Sequence, residues 1–118
     1  MDYSLKILDY TIEELDLSNK NLTVLPDLSK YINLKVLKCN DNKITNLDNL
    51  PPGLLELKCL NNKITNLDNL PPGLTILYCW NNNLTSLDNL PPGLKQLYCG
   101  NDEWQKQYFT KNNTSRLL

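Results

Sequence analysis

A period of twenty residues runs through this chain and constrains its fold more than any other feature. Three blocks align without a gap: Leu34 to Gly53 reads LKVLKCNDNKITNLDNLPPG, Leu54 to Gly73 reads LLELKCLNNKITNLDNLPPG, and Leu74 to Gly93 reads LTILYCWNNNLTSLDNLPPG. A fourth begins at Leu94 as LKQLYCGNDEW and then departs, and Ile12 to Asn33 has the same skeleton stretched to 22 residues. Such a period marks an array of stacked supersecondary units. The expected divisions are an N-terminal cap over 1–11, repeats over 12–104 (12–33, 34–53, 54–73, 74–93 and a partial 94–104), and a C-terminal cap and tail over 105–118.

Within the block 54–73 the apolar positions are Leu54, Leu57, Cys59, Ile64, Leu67 and Leu70. Leu57 and Cys59 lie two apart and face one side of a strand, while Glu56, Lys58 and Leu60 face the other. A buried aliphatic side chain contributes about 1.5–3 kcal/mol, so six per repeat are a sizeable driving force, but the entropy of ordering twenty residues opposes it. One repeat should therefore not fold alone; stacked repeats share a continuous core behind a parallel sheet. The return segment Asp68-Asn69-Leu70-Pro71-Pro72-Gly73 lacks two backbone donors and cannot be a regular helix. Extended, polyproline-like or short 3₁₀ segments are expected on the convex side, with Gly73 at a backbone angle closed to other residues. A convex layer this thin predicts a gently curved solenoid.

Asparagine occurs 18 times. Asn42, Asn62 and Asn82 hold the ninth position of their repeats, where the chain leaves the strand and its backbone groups need partners. An Asn side chain supplies both donor and acceptor, so these residues are expected to form a structural ladder between repeats. Lys20 and Asp102 take that position at the two ends. Cys39, Cys59, Cys79 and Cys99 form a second ladder, pointing inward. Thiols in file on parallel strands are about 4.8 Å apart, which suits neither the tetrahedron of zinc nor the orientation of a disulfide. They read as small buried hydrophobes.

The skeleton L-x-x-L-x-C-x-x-N-x-[IL]-T-x-L-x-x-L-P-P-G resembles the leucine-rich-repeat family. Within it, the pattern is most similar to the short, Pro-bearing class found in secreted bacterial effectors and in repeat proteins of giant DNA viruses. Leu22-Thr23-Val24-Leu25-Pro26-Asp27-Leu28 is nearest the bacterial L-P-x-L variant, whereas the cysteine at position six and the N-L-D-N-L-P-P-G turn look more like the viral proteins. The resemblance covers about four fifths of the chain and implies a concave protein-binding face with no intrinsic chemistry. Some bacterial relatives add a ubiquitin-ligase domain with a catalytic cysteine; the residues after Trp104 are too few for one, so that activity is not carried over.

Other classes are argued against by composition. There is no histidine, the commonest general base at neutral pH, and no motif for a cofactor or metal. Asp48, Asp68 and Asp88 recur on the convex side, where each is expected to organise its own turn by accepting backbone N–H groups. With 12 basic and 13 acidic residues and a pI near 5.3, nucleic acid is not an expected partner. No apolar run is long enough to span a bilayer. The first residues have neither a cationic lead nor a continuous apolar core, unlike a secretory signal. Four cysteines without such a signal point to an intracellular, reducing compartment, including a host cytoplasm.

The outward strand positions are the ones the fold does not dictate. Position three runs Glu14, Val36, Glu56, Ile76, Gln96; position five runs Asp16, Lys38, Lys58, Tyr78, Tyr98; position seven runs Ser18, Asn40, Leu60, Trp80, Gly100. Residues twenty apart should lie side by side, so Trp80, Tyr78, Tyr98, Ile76 and Leu60 form one apolar and aromatic patch, flanked by Lys58, Lys38 and the acidic residues. Aromatic anchors with a polar margin are the pattern of a protein-binding hot spot. The expected function is a non-catalytic module that binds a protein through this concave face. The alternative is structural: self-assembly into homo-oligomers through the patch or exposed edges. Trp104, Tyr108 and Phe109 at one end, and Leu5, Ile7 and Leu8 at the other, are expected to cap the stack, with Asn112 to Leu118 frayed.

Overall fold

The computed structural model describes residues 9–100. The expected capping residues Leu5, Ile7, Leu8, Trp104, Tyr108 and Phe109, the Asp102 rung and the tail 112–118 lie outside them. Five strands of three residues each, β1 (Glu14–Asp16), β2 (Val36–Lys38), β3 (Glu56–Lys58), β4 (Ile76–Tyr78) and β5 (Gln96–Tyr98), form one parallel sheet in sequence order. The register is the repeat itself: Leu37 pairs with Leu57, Leu57 with Leu77 and Leu77 with Leu97. Pairing continues past the strands, where Cys39, Cys59 and Cys79 N–H groups donate to the carbonyls of Lys58, Tyr78 and Tyr98 at 2.8–2.9 Å. These contacts give each short strand more lateral support than its three residues imply.

Side chains that alternate inward build the core. Leu34, Leu54 and Leu74 start their repeats fully buried, followed by Leu37, Leu57 and Leu77 on the strands and then by the cysteines. Ile44, Ile64, Leu47 and Leu67 close the core from the convex side, whereas Leu84 and Leu87 in the next repeat are only half-buried. The stack is therefore tightest over 34–73.

The convex side is extended chain broken by turns, with no helix among the described residues. Leu54, Leu74 and Leu94 N–H groups donate to the carbonyls of Pro51, Pro71 and Pro91 at 3.1–3.4 Å and close the turn into each strand. The first proline of each pair is buried and the second exposed. In the longer first repeat Tyr31 takes the proline's place, buried, with its ring edge-on to Tyr10 at 5.0 Å between centroids.

Two expectations are corrected here. Gly73 does not have a positive φ; the left-handed positions belong to Asn19, Asn21, Asp41, Asn49, Asn61, Asn69, Asn81 and Asn89, with Gly100 the one such glycine among the described residues. Asn and Asp visit this region more readily than other residues with a Cβ because their short polar side chains bond locally, and this is where much of the asparagine excess goes. The convex aspartates also behave differently. The Asp48 and Asp68 N–H groups are held by Asn46 and Asn66 Oδ1 at 3.0 Å, while their carboxylates accept from Asn69 and Asn89 of the following repeat. They bind sideways between repeats, and the neighbouring Asn organises the turn.

The ninth-position asparagines also reach between repeats. Asn62 Nδ2 donates to the carbonyls of Cys39, Cys59 and Leu60 at 3.0–3.3 Å, and its Oδ1 accepts the Ile44 N–H at 3.1 Å. Asn42 does the same toward Leu17, Cys39, Lys20 and Leu22, and Asn82 toward Cys59, Cys79 and Ile64. Each side chain thus holds its own turn and the preceding repeat together. Among the described residues no buried side-chain nitrogen or oxygen lacks a partner.

Candidate functional site

The alternation that sends Leu57 and Cys59 inward leaves Glu56, Lys58 and Leu60 on the open face, and the in-register sheet aligns these positions into columns. Tyr78 and Tyr98 stack with ring centroids 4.3 Å apart and planes within 5°. Trp80 stands edge-on to Tyr78 at 6.2 Å. Lys58 Nζ lies 5.1 Å from the centroid of Tyr78 and 3.8 Å from Glu56 Oε2. Lys38 Nζ is paired with Glu14 Oε1 at 3.2 Å. The column from Lys38 to Tyr98 thus passes from ion pairs through a cation–π contact into an aromatic stack. Partial burial, with the Tyr98 ring beside it, raises the Tyr78 phenol above its ordinary value. The structure brings Trp80, Tyr78, Tyr98 and Lys58 together and sets Ile76, Leu60 and Lys38 at neighbouring register positions, all half-buried except Trp80, which is 39% exposed.

Gly100 belongs to this site, and the sequence reading gave it no role. Its φ is +72°, and a Cβ there would lie 2.9 Å from Trp80 Cβ. A larger residue would collide with the base of the indole. The clue in the sequence was a glycine completing a column of side chains, where a shape requirement is not visible.

The thiols lie behind this face. Cys39, Cys59 and Cys79 are fully buried and Cys99 nearly so, all four unbridged. Burial pushes the Cys39 thiol up to about 12 and those of Cys59 and Cys79 up as well. A thiol so far from ionisation is a poor nucleophile and a poor metal ligand. Cys59 instead donates weakly to the Tyr78 carbonyl at 3.3 Å.

Comparing the repeats with one another shows which positions are free. Blocks 34–53 and 54–73 differ at four places only, Lys35/Leu55, Val36/Glu56, Asn40/Leu60 and Asp41/Asn61, and none of these residues is buried. Two of the four, Val36/Glu56 and Asn40/Leu60, lie on the open face, and the buried positions are unchanged.

No protein-family model matches the sequence, and no curated protein does. Among solved structures, the leucine-rich-repeat domain of a Shigella effector matches with a TM-score of 0.53 and 30% identity over 75% of this chain. The chain spans 49% of that structure's length. The parallel stack and this likeness make the described residues a leucine-rich-repeat solenoid.

Proposed function

We propose that this chain is a non-catalytic interaction module that binds a protein through the concave face of its sheet. Trp80, Tyr78, Tyr98, Ile76 and Leu60 are the anchor, and Lys58 and Lys38 its margin. The observation that carries this reading is the half-exposed aromatic cluster, which sits on the face where the repeats differ. Large rigid aromatics ringed by polar groups concentrate binding energy. The repeats belong to the short, twenty-residue, Pro-bearing class, and the likeness to an effector domain favours a host protein as the partner. Unbridged buried thiols fit a reducing cytoplasm.

Affinity capture from a host lysate with the wild type and the Trp80→Ala/Tyr98→Ala double variant tests the reading. The variant should lose the recovered partner while keeping the wild-type circular dichroism spectrum. Recovery of the same proteins by both would overturn it. Growth of the scattering mass with concentration, abolished by the same variant, would assign the patch to self-assembly instead.

A further inference from the structure

The groups on the concave face differ in what they still have to offer a ligand. Both lysines are engaged, Lys38 with Glu14 and Lys58 with Glu56 and the Tyr78 ring. An incoming carboxylate would have to displace those contacts. The strand positions hold three carboxylates, Glu14, Asp16 and Glu56, against these two lysines. Asp16 Oδ1 accepts the Ser18 N–H at 2.9 Å, and Lys38 and Lys20 lie close enough to stabilise its charge. At the other end Trp80 is 39% exposed, and Gly100 places no side chain beside it. An open indole face attracts cations, and a planar guanidinium best of all.

From this charge pattern we infer that the partner segment is basic: an extended peptide with one arginine stacked on Trp80 and a second basic residue near Asp16. The inference rests on the concave-face reading above. The geometry sets the spacing. Asp16 is in register with Tyr78, three strand intervals away, about 14 Å at the usual separation; Trp80 stands two residues further along, so the span is about 16 Å, which about four to five extended residues cover. The segment runs across the strands, along the solenoid, with its two cations four positions apart.

Fluorescence anisotropy with the full chain and the labelled peptide Gly-Arg-Ser-Gly-Ser-Arg-Gly tests this, beside the same peptide with Lys or Glu in place of both Arg. The Arg peptide should bind tightest, the Lys peptide less, and the Glu peptide least, with affinity falling as salt is raised. Trp80→Ala should weaken Arg-peptide binding about tenfold and Asp16→Asn about threefold, as expected for loss of a cation–π contact and of one screened charge. Unchanged circular dichroism of each variant secures the comparison. Preference for the Glu peptide, Arg-peptide binding indifferent to Trp80→Ala, or no binding of any peptide up to millimolar concentration would each overturn the inference. A Glu preference abolished by Trp80→Ala would sink the basic partner while supporting the concave face. Failure of the face itself would show in the capture experiment.

Discussion

Asn62 and Cys59 show how much of this molecule rests on single side chains. Asn62 makes four hydrogen bonds to backbone groups of two repeats, three of them buried and the fourth, to Leu60, partly buried. Asn62→Ala should lower stability by about 3 kcal/mol, since buried backbone groups left unpaired cost about 1–3 kcal/mol each and partial relaxation recovers some. Asn61→Ala, one residue away and less buried, should cost about 1 kcal/mol, mostly for a φ of 58° that alanine disfavours. Urea denaturation of the pair measures the difference; equal losses would mean the ninth-position ladder is not what holds the repeats. The thiols give a pH prediction. Their native pKa is raised, so above the ordinary value of 9.0 the unfolded chain ionises while the native one does not. The unfolded state then binds fewer protons, and stability falls as pH rises. Each buried thiol contributes about 1.4 kcal/mol per pH unit to that slope. Between pH 9 and 11 the Cys59→Ala variant should therefore lose stability less steeply than the wild type, and parallel slopes would show that Cys59 titrates normally when folded.

The repeat is the element that matters, because a three-residue strand has no stability of its own. Inserting a further copy of 54–73 after Gly73 should add one strand and one set of buried leucines without disturbing its neighbours. Nearest-neighbour stacking predicts a higher urea midpoint and an unchanged ellipticity per repeat; a lower midpoint would argue for coupling beyond adjacent repeats. Much of this element could be read from the sequence. Two-residue alternation at Leu57 and Cys59 identified the strand and its inward face, and the twenty-residue spacing set the register that places Tyr78 beside Tyr98. The return segment was read less well. The Pro-Pro-Gly run looked like the place for a left-handed residue, yet Asn49, Asn69 and Asn89 take that conformation four residues earlier. Glycine advertises such an angle more strongly than asparagine, and the bond from Asn69 to Asp48 that rewards it crosses to another repeat. Likewise the Lys58–Tyr78 contact depends on rotamers across two strands, which spacing alone does not determine.

At the scale of the molecule, stability should be graded along the stack. Ile44, Ile64, Leu47 and Leu67 seal the convex side over 34–73, while Leu84 and Leu87 leave 74–93 less well sealed. Hydrogen exchange should find the slowest amides on β2 and β3 and faster ones over 84–90, because local opening is easiest where buried contacts are fewest. Uniform protection would indicate all-or-none unfolding. The near-identity of the blocks has another consequence, for how the chain finds its register. The inward leucines and the ninth-position asparagine of 34–53 would fit a strand two repeats away almost as well as the adjacent one, since the positions at which 34–53 and 74–93 differ are unburied apart from Ile44. Skipping a repeat doubles the loop to be closed, a penalty of only about 0.6 kcal/mol. Loop closure therefore gives correct threading little advantage, and the main cost of an error is the apolar core of the block left hanging outside the stack.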